Sequence, residues 1–124
     1  MGDVQWLPGY CVLLSDDPSV DRLSALPRVK QREFLDSMAL LCHAVERACA
    51  EADPEVLRVN VEILGNTDAY LHAHVWPRYA WEPAEHRSRP VWLYPAEHWA
   101  DEDTALNDGH DALRESIGRH LDEG

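Results

Sequence analysis

The stretch NVEILGNTDAYLHAHVWPRY, residues 60–79, decides the fold of this chain. Its first part continues a segment, from residue 57, in which apolar and polar side chains alternate; its last part alternates in the same way from about Ala69 to Trp76. Alternation with a period of two is typical of a half-buried β-strand. Because the residues between the two segments, 65–68, are the turn formers Gly-Asn-Thr-Asp, the stretch predicts an antiparallel hairpin.

The two faces of this hairpin differ in chemistry. Residues directly opposite in an antiparallel pair point to the same side of the sheet. One face then carries the apolar residues of both strands, namely Val59, Val61, Ile63, Leu71, Ala73 and Val75. Asn60 and Glu62 consequently share the other face with His72 and His74, which predicts a polar cluster around two histidines.

Outside the hairpin, the chain shows a strand signal and two helix signals. A Pro-Gly turn precedes a β-prone run at Tyr10–Leu14. Apolar residues recur every three or four positions between Pro27 and Ala52, which predicts an amphipathic helix ended by Asp53-Pro54. A similar spacing predicts a second helix at about Asn107–Leu121, and we expect a brief strand at Val91–Tyr94 within an otherwise irregular region. The pattern indicates an α+β fold with one long helix packed on an antiparallel sheet of about four or five strands.

Length and composition limit the classes of function. With 124 residues the chain predicts one domain, 1–124, and 45% hydrophobic with 27% charged residues is the balance of a folded globular protein. The net charge of −12 disfavours binding to nucleic acid polymers or to anionic membranes. No apolar stretch approaches the roughly 20 residues that span a bilayer, and the first ten residues lack signal-peptide features, so we expect a cytoplasmic protein. The three cysteines show no Cys-x-x-Cys spacing, which predicts neither a disulfide framework nor a structural zinc site.

The His-x-His pair permits three chemical interpretations. Two imidazoles could bind a metal ion if a third ligand, such as Glu62 or His86, came from elsewhere. One histidine could instead act as a nucleophile or a general acid–base, because an imidazole keeps a neutral form near neutral pH. The third interpretation is two histidines on a solvated face of the sheet.

The wider stretch 60–79 resembles the signature of the histidine triad (HIT) family of nucleotidyl hydrolases and transferases. In that signature histidines alternate with apolar residues, and the run often ends in Pro-Arg, as it does here at residues 77–78. Asn60 and the turn Gly65-Asn66-Thr67 match upstream polar positions of the signature, and PGYCVLL at residues 8–14 resembles the strand before the family's long helix. The Trp/Pro-rich end resembles that of bacterial members described as diadenosine tetraphosphate hydrolases.

The resemblance implies a role for each matching residue. His72 falls on the middle histidine, the nucleophile that attacks the α-phosphorus of a nucleotide and forms a covalent nucleotidyl-histidine. His74 falls on the last histidine, which donates to a phosphate oxygen and whose main-chain carbonyl fixes the tautomer of His72. Asn60, Asn66 and Thr67 would bind phosphate or leaving-group oxygens. The resemblance implies no metal or other cofactor, and it implies a homodimer.

Two departures from the family pattern bear on activity. Tyr70 stands at the first triad position, where its phenol would keep a hydrogen-bonding group on the same face. The chain also begins in the first strand, so an earlier helix and hairpin that help to form the nucleoside cleft are expected to be missing. Arg78 is either a phosphate ligand or a partner for a carboxylate, and we expect Trp76, Trp81, Trp92 and Trp99 to pack in a core or interface rather than to stack on a base.

The function that follows is hydrolysis or transfer at the α-phosphate of a nucleotide anhydride or phosphoramidate, with diadenosine tetraphosphate as the first substrate to test. The alternatives are a non-catalytic nucleotide-binding protein on the same scaffold and a His-x-His metalloenzyme. The candidate site residues are His72 and His74 for catalysis, and Asn60, Asn66, Thr67, Tyr70 and Arg78 for substrate binding.

Overall fold

Three strands and three helices form the regular part of the chain, and the computed structural model describes every residue from Met1 to Gly124. The strands are β1 (Cys11–Leu14), β2 (Val56–Glu62) and β3 (His72–Tyr79), and the helices are α1 (Arg28–Ala52), α2 (Ala84–Arg87) and α3 (Asp111–Glu123). Single 3₁₀ turns lie at Leu23–Ala25, Val91–Leu93, Ala96–Trp99, Glu102–Thr104 and Asp108–His110. None of the helices has both the length and the apolarity to cross a membrane.

The predicted hairpin is confirmed as the antiparallel pair of β2 and β3. Val61 lies opposite Val75 and Glu62 lies opposite His74, so the apolar and polar faces are those expected from the alternation. Strand β3 also pairs antiparallel with β1, giving the order β1-β3-β2 with the histidine strand in the centre. Because β3 begins at His72, the connection from β2 is the nine-residue loop Ile63–Leu71, longer than the turn signal suggested.

The sheet has three strands, fewer than the four or five expected. The expected strand at Val91–Tyr94 is wrong, because this segment forms a 3₁₀ turn between Pro90 and Pro95. The amides of Leu93 and Tyr94 donate to the carbonyls of Pro90 and Val91, each three residues upstream, rather than to a neighbouring strand. A proline has no N–H to donate to a ladder, so its position at both ends of the segment favours a turn.

Helix α1 covers one face of the sheet, as its amphipathic pattern predicted. Its buried residues Val45, Ala48 and Cys49 share a core cluster with Val59 and Val75 of the sheet. The helix ends where expected, because Asp53 has extended backbone angles and Pro54 follows. The predicted C-terminal helix is confirmed as α3, which packs beside α1.

An aromatic cluster covers the opposite face of the sheet, which carries the histidines. Its buried members are Trp6, Leu7, Tyr10, Trp76, Tyr79, Val91 and Tyr94. The cluster joins the N-terminal segment to the irregular region after β3, and an isolated bridge between Val4 and Ala105 holds the two together. Every residue of β3 is therefore buried, and the interpretation of His72 and His74 as solvated side chains is wrong.

Candidate active site

A cavity of about 310 Å³ lies where the Ile63–Leu71 loop, the start of β3 and the Val91–Leu93 turn meet. We call it the histidine cavity. Its lining residues are Leu64, Gly65, Asn66, Thr67, Asp68, His72, His74 and Trp92. The cavity thus brings together both predicted catalytic histidines and two of the predicted substrate-binding residues.

The imidazole of His72 has one nitrogen bonded and one free. Its Nδ1 lies 2.7 Å from the main-chain oxygen of Tyr70. A carbonyl oxygen only accepts hydrogen bonds, so we assign the proton of neutral His72 to Nδ1 and the lone pair to Nε2. Nε2 makes no hydrogen bond within the chain, and it is not among the atoms sealed from solvent without a partner. His72 is only 3% exposed and lines the cavity, so this lone pair is presented from a fixed ring.

The partner of His72 differs from the one that the resemblance implied. The carbonyl of Tyr70, rather than that of His74, accepts from Nδ1. Tyr70 lies two residues before the start of β3, where its carbonyl is not part of the β-ladder. The tautomer expected for a nucleophilic His72 is therefore obtained through a different main-chain oxygen.

His74 is held neutral by its surroundings. Burial, together with the nearby His72, lowers the pKa of His74 to about 4. Its Nδ1 lies 2.8 Å from the hydroxyl of Tyr10, and burial raises the pKa of that phenol well above its ordinary value. A neutral phenol that donates to Nδ1 places the remaining imidazole proton on Nε2. His74 is then a hydrogen-bond donor toward the cavity.

Tyr10 is a site residue that sequence reasoning missed. Its ring stacks on Trp76 with centroids 3.6 Å apart, which fixes the direction of its hydroxyl. Tyr10 precedes β1, and Trp76 shares a face of β3 with His74, so the sheet brings together residues 64 positions apart in the sequence. The Pro-Gly-Tyr turn was recognised as the start of a strand, but nothing in its local pattern pointed to a histidine partner.

Asn66 and Thr67 lie at the wall of the histidine cavity that the loop provides. Neither side chain makes a hydrogen bond within the chain, so the amide and the hydroxyl are available to a ligand. Asp68 follows them and is the only carboxylate lining the cavity. It is exposed, and its charge is therefore strongly screened by water.

Tyr70 and Asn60 occupy positions that sequence reasoning did not anticipate. The ring of Tyr70 lies against the ring of His72, with centroids 4.3 Å apart, while its hydroxyl makes no hydrogen bond. Asn60 lies opposite Trp76 on β2 and lines a separate hollow beside Arg58 and not the histidine cavity. Asn60 is thus on the predicted face but away from His72.

Arg78 is buried, and its guanidinium group is hydrogen-bonded to other groups of the chain. Its Nε and Nη2 donate to the carboxylate of Glu82 at 2.9–3.1 Å, and its other contacts are main-chain oxygens, including those of His86 and Arg89 at 2.9 and 2.7 Å. Both side chains are almost fully buried. This geometry favours the carboxylate-partner interpretation of Arg78 over direct phosphate binding.

Trp92 forms the wall of the cavity that the tail provides. Its indole N–H donates to the carboxylate of Glu62, and its ring stacks on Trp99 with centroids 4.6 Å apart. The ring meets His74 nearly edge-on at 5.0 Å. Trp76 is fully buried in the core, as expected, whereas Trp92 is 40% exposed and lies beside the histidines.

The two side chains considered as a third metal ligand both contact aromatic partners. Glu62 accepts from Trp92, and the ring of His86 stacks on Tyr94. No group of three or more His, Cys, Asp or Glu side chains in the chain is arranged to hold a metal ion.

The comparisons with known proteins concern the fold. No protein-family model and no curated protein matches the sequence. Among solved structures, a histidine triad protein from Sinorhizobium meliloti superposes with a TM-score of 0.66 at 18% identity, over 91% of this chain and 73% of that one. Histidine triad proteins from Marinobacter aquaeolei and Bradyrhizobium japonicum give TM-scores of 0.62 and 0.59 at 22% and 23% identity. They cover 89% and 87% of this chain, and 74% and 75% of their own. The chain therefore has the fold of the histidine triad proteins, with its two motif histidines on the central strand.

Proposed function

We propose that this chain is a nucleotidyl hydrolase or transferase of the histidine triad type, which acts at the α-phosphate of a nucleotide anhydride or phosphoramidate. The observation that carries the proposal is the hydrogen bond from His72 Nδ1 to the Tyr70 carbonyl, which leaves Nε2 unprotonated at the wall of a cavity. The fold shared with histidine triad proteins supports the same chemistry.

In the proposed first step, the lone pair of His72 Nε2 attacks the α-phosphorus. A P–N bond forms as the P–O or P–N bond to the leaving group breaks, and the leaving group takes the electron pair of that bond. The ring becomes cationic, and its Nδ1–H then donates a charge-assisted hydrogen bond to the Tyr70 carbonyl, stronger than the neutral one. In the second step water attacks phosphorus and loses a proton to the solvent. The P–N bond breaks, and its electron pair returns to Nε2 of His72.

The other cavity residues suit an anionic substrate by donating hydrogen bonds without carrying charge. We propose that Nε2–H of His74, held by Tyr10, donates to a non-bridging or leaving-group oxygen. Asn66 and Thr67 are proposed to bind phosphate oxygens, each neutral bond contributing about 0.5–1.5 kcal/mol. Diadenosine tetraphosphate is the first substrate to test, because it offers an α-phosphate with a good phosphate leaving group.

The experiment that tests this proposal is covalent trapping. The protein is mixed with diadenosine tetraphosphate or adenosine phosphoramidate, quenched in acid-free denaturant within milliseconds to seconds, and weighed intact by mass spectrometry. We expect a mass increase of one adenylyl group on the wild type and none on His72→Ala. His43→Ala is the matched control, because His43 is exposed on α1 and makes no hydrogen bond.

Three outcomes are distinguishable. An adduct in the wild type and in His43→Ala but not in His72→Ala supports the proposal. Turnover without an adduct on rapid quenching would contradict the covalent step. Tight binding of adenosine monophosphate with neither turnover nor adduct would favour the non-catalytic nucleotide-binding alternative.

We also propose that the chain acts as a homodimer. Helix α1 exposes Leu35 and Leu40, which line neither of the two cavities beside β2 and β3. Exposed apolar side chains on a helix face are typical of an association surface. Light scattering of the eluting protein measures the mass directly, and a monomer mass at micromolar concentration would contradict this proposal.

A further inference from the structure

A second hollow, of about 650 Å³, lies between β2 and the segment that follows α2. We call it the arginine hollow, because Arg58 of β2 and Arg87 and Arg89 of that segment line it. Asn60 and Glu62 line it as well.

The arginine hollow is positively charged in a strongly acidic chain. Of the eleven Lys and Arg residues, five form salt bridges, and three of the other six line this one hollow. The only carboxylate lining it, that of Glu62, already accepts a hydrogen bond from Trp92. The guanidinium groups of Arg58 and Arg89 make no hydrogen bond within the chain, and Arg87 uses only Nη1, on the carbonyl of Ala80.

The buried side chain of Arg78 holds this cationic segment in place. Its guanidinium donates to the carbonyls of His86 and Arg89 at 2.9 and 2.7 Å, so it ties the backbone on both sides of Arg87. The charge of Arg78 is itself neutralised by Glu82. Arg87 and Arg89 are therefore presented by a preorganised backbone, which lowers the entropy lost when they bind a ligand.

The arginine hollow adjoins the histidine cavity. Glu62, which lines the hollow, and Trp92, which lines the cavity, are hydrogen-bonded to each other. Asn60 lies opposite Trp76, which shares a face of β3 with His72 four residues away. At about 3.3 Å per residue, the two places are about 13 Å apart along the strand. Several linked phosphates, together with long arginine side chains, span that distance.

We infer that the arginine hollow binds the distal phosphates of a nucleoside polyphosphate whose α-phosphate lies at His72. Guanidinium groups bind phosphate oxygens bidentately, and three of them suit a chain of phosphates better than a single anion. The position of the α-phosphate rests on the proposed function, whereas the binding of a phosphate chain by the hollow does not. The substrate class is thereby narrowed to polyphosphates with at least three linked phosphates.

The first test measures binding without catalysis. Inorganic tripolyphosphate and orthophosphate are titrated calorimetrically at low salt into the wild type, into Arg58→Gln/Arg89→Gln, and into Arg32→Gln/Arg119→Gln. The last variant removes the same charge from exposed arginines outside the hollow that form no salt bridge. We expect tripolyphosphate binding to weaken about tenfold or more in the hollow variant and to change less than about twofold in the control.

Equal weakening in both double variants would show a general charge effect and overturn the inference. Orthophosphate binding as tight as that of tripolyphosphate would also overturn the inference, because the hollow would then be a site for single anions. A wild type that binds neither anion would overturn it as well.

The second test connects the hollow to the substrate. We expect the ratio of kcat/KM for diadenosine tetraphosphate to that for adenosine phosphoramidate to fall about tenfold in Arg58→Gln/Arg89→Gln and to stay constant in the control. An unchanged ratio would overturn the link between hollow and substrate. If no adenylyl adduct forms on His72 at all, the proposed function fails, while the tripolyphosphate titration still reports on the hollow by itself.

Discussion

The buried pair of Arg78 and Glu82 makes a sharp prediction, because its two interpretations lead to opposite results. The carboxylate of Glu82 is 2% exposed and accepts five hydrogen bonds: three contacts from Arg78, one from the Tyr79 amide at 2.7 Å, and one from the Tyr94 hydroxyl at 2.6 Å. Glu82→Gln keeps the shape of the side chain but removes its charge and half of its accepting capacity. The guanidinium of Arg78 is then a buried charge without a counter-ion.

The loss of the Glu82 charge is expected to lower the free energy of unfolding. Removing one partner of a buried ion pair typically lowers the free energy of unfolding by about 3–5 kcal/mol. With a urea m-value of about 2 kcal/mol per molar, the midpoint of urea unfolding should fall by about 2 M. Equilibrium unfolding followed by tryptophan fluorescence measures this directly, since Trp76 is fully buried in the neighbouring aromatic cluster.

Two further variants separate charge from packing. Glu85→Gln makes the same chemical change on an exposed neighbour without hydrogen bonds, and we expect an effect within about 0.5 kcal/mol. Arg78→Met/Glu82→Gln removes both charges and should recover a large part of the loss. A cost below about 1 kcal/mol for Glu82→Gln would refute the reasoning, because Arg78 would then be free enough to serve as a phosphate ligand.

The remaining predictions concern Tyr10, His74 and two glycines. Tyr10→Phe removes the hydroxyl that orients His74, and we expect kcat to fall about tenfold, which corresponds to about 1.4 kcal/mol of activation free energy. The midpoint of urea unfolding should change little. An unaltered kcat with the nucleotide substrate would show that Tyr10 is not part of the site. The pKa of His74 is about 4 in the folded state and about 6.5 in the unfolded state, so the unfolded state binds the proton more readily. The free energy of unfolding should therefore fall as the pH drops from about 6.5 to 4, by at most about 3 kcal/mol. Urea unfolding at several pH values should show a shallower loss for His74→Gln, and parallel curves would contradict the assignment. Gly9 has a φ of +104°, and an added Cβ would overlap Cys49 Sγ, so Gly9→Ala should lower the free energy of unfolding by about 3 kcal/mol. A Cβ added at Gly118, which lies in a helix, meets nothing within 4 Å, so Gly118→Ala should raise the free energy of unfolding by about 0.5–1 kcal/mol in the same measurement. Equal effects at the two glycines would refute the steric argument.

The hairpin, the long helix and the C-terminal helix were predictable because each is encoded by a local period in the sequence. Val61 lies opposite Val75 as the alternation requires, and α1 spans Arg28–Ala52 against a prediction of Pro27–Ala52. The turn residues specify β2 as one neighbour of β3, but nothing local specifies β1 as the other, so the full strand order was not predictable from periodicity. The sheet also has three strands rather than the expected four or five, because the segment at Val91–Tyr94 forms a turn.

The cover over the histidine face was beyond sequence reasoning for a physical reason. The residues that follow β3 show no repeating pattern, because they are held by individual contacts: Trp92 with Glu62, and Tyr94 with Glu82. Contacts of this kind depend on the positions of individual residues in three dimensions, so they produce no periodic pattern in the sequence. Burial of His72 and the pairing of His74 with Tyr10 were missed for the same reason, whereas their shared face and the turn residues Asn66 and Thr67 were not.

The central position of β3 has a consequence for how the protein accommodates different ligands. At His74 the strand is paired on both sides, with β1 and with β2, and at His72 it is paired with β1, so shifting its backbone requires breaking these ladders. We expect the amide protons there to exchange with deuterium only through global opening, while those of the Ile63–Leu71 loop exchange rapidly. The imidazole of His72 is accordingly held in a fixed position. Under the proposed function, adaptation to a different nucleotide falls to the loop and the tryptophan-bearing tail, which can vary without moving the strand.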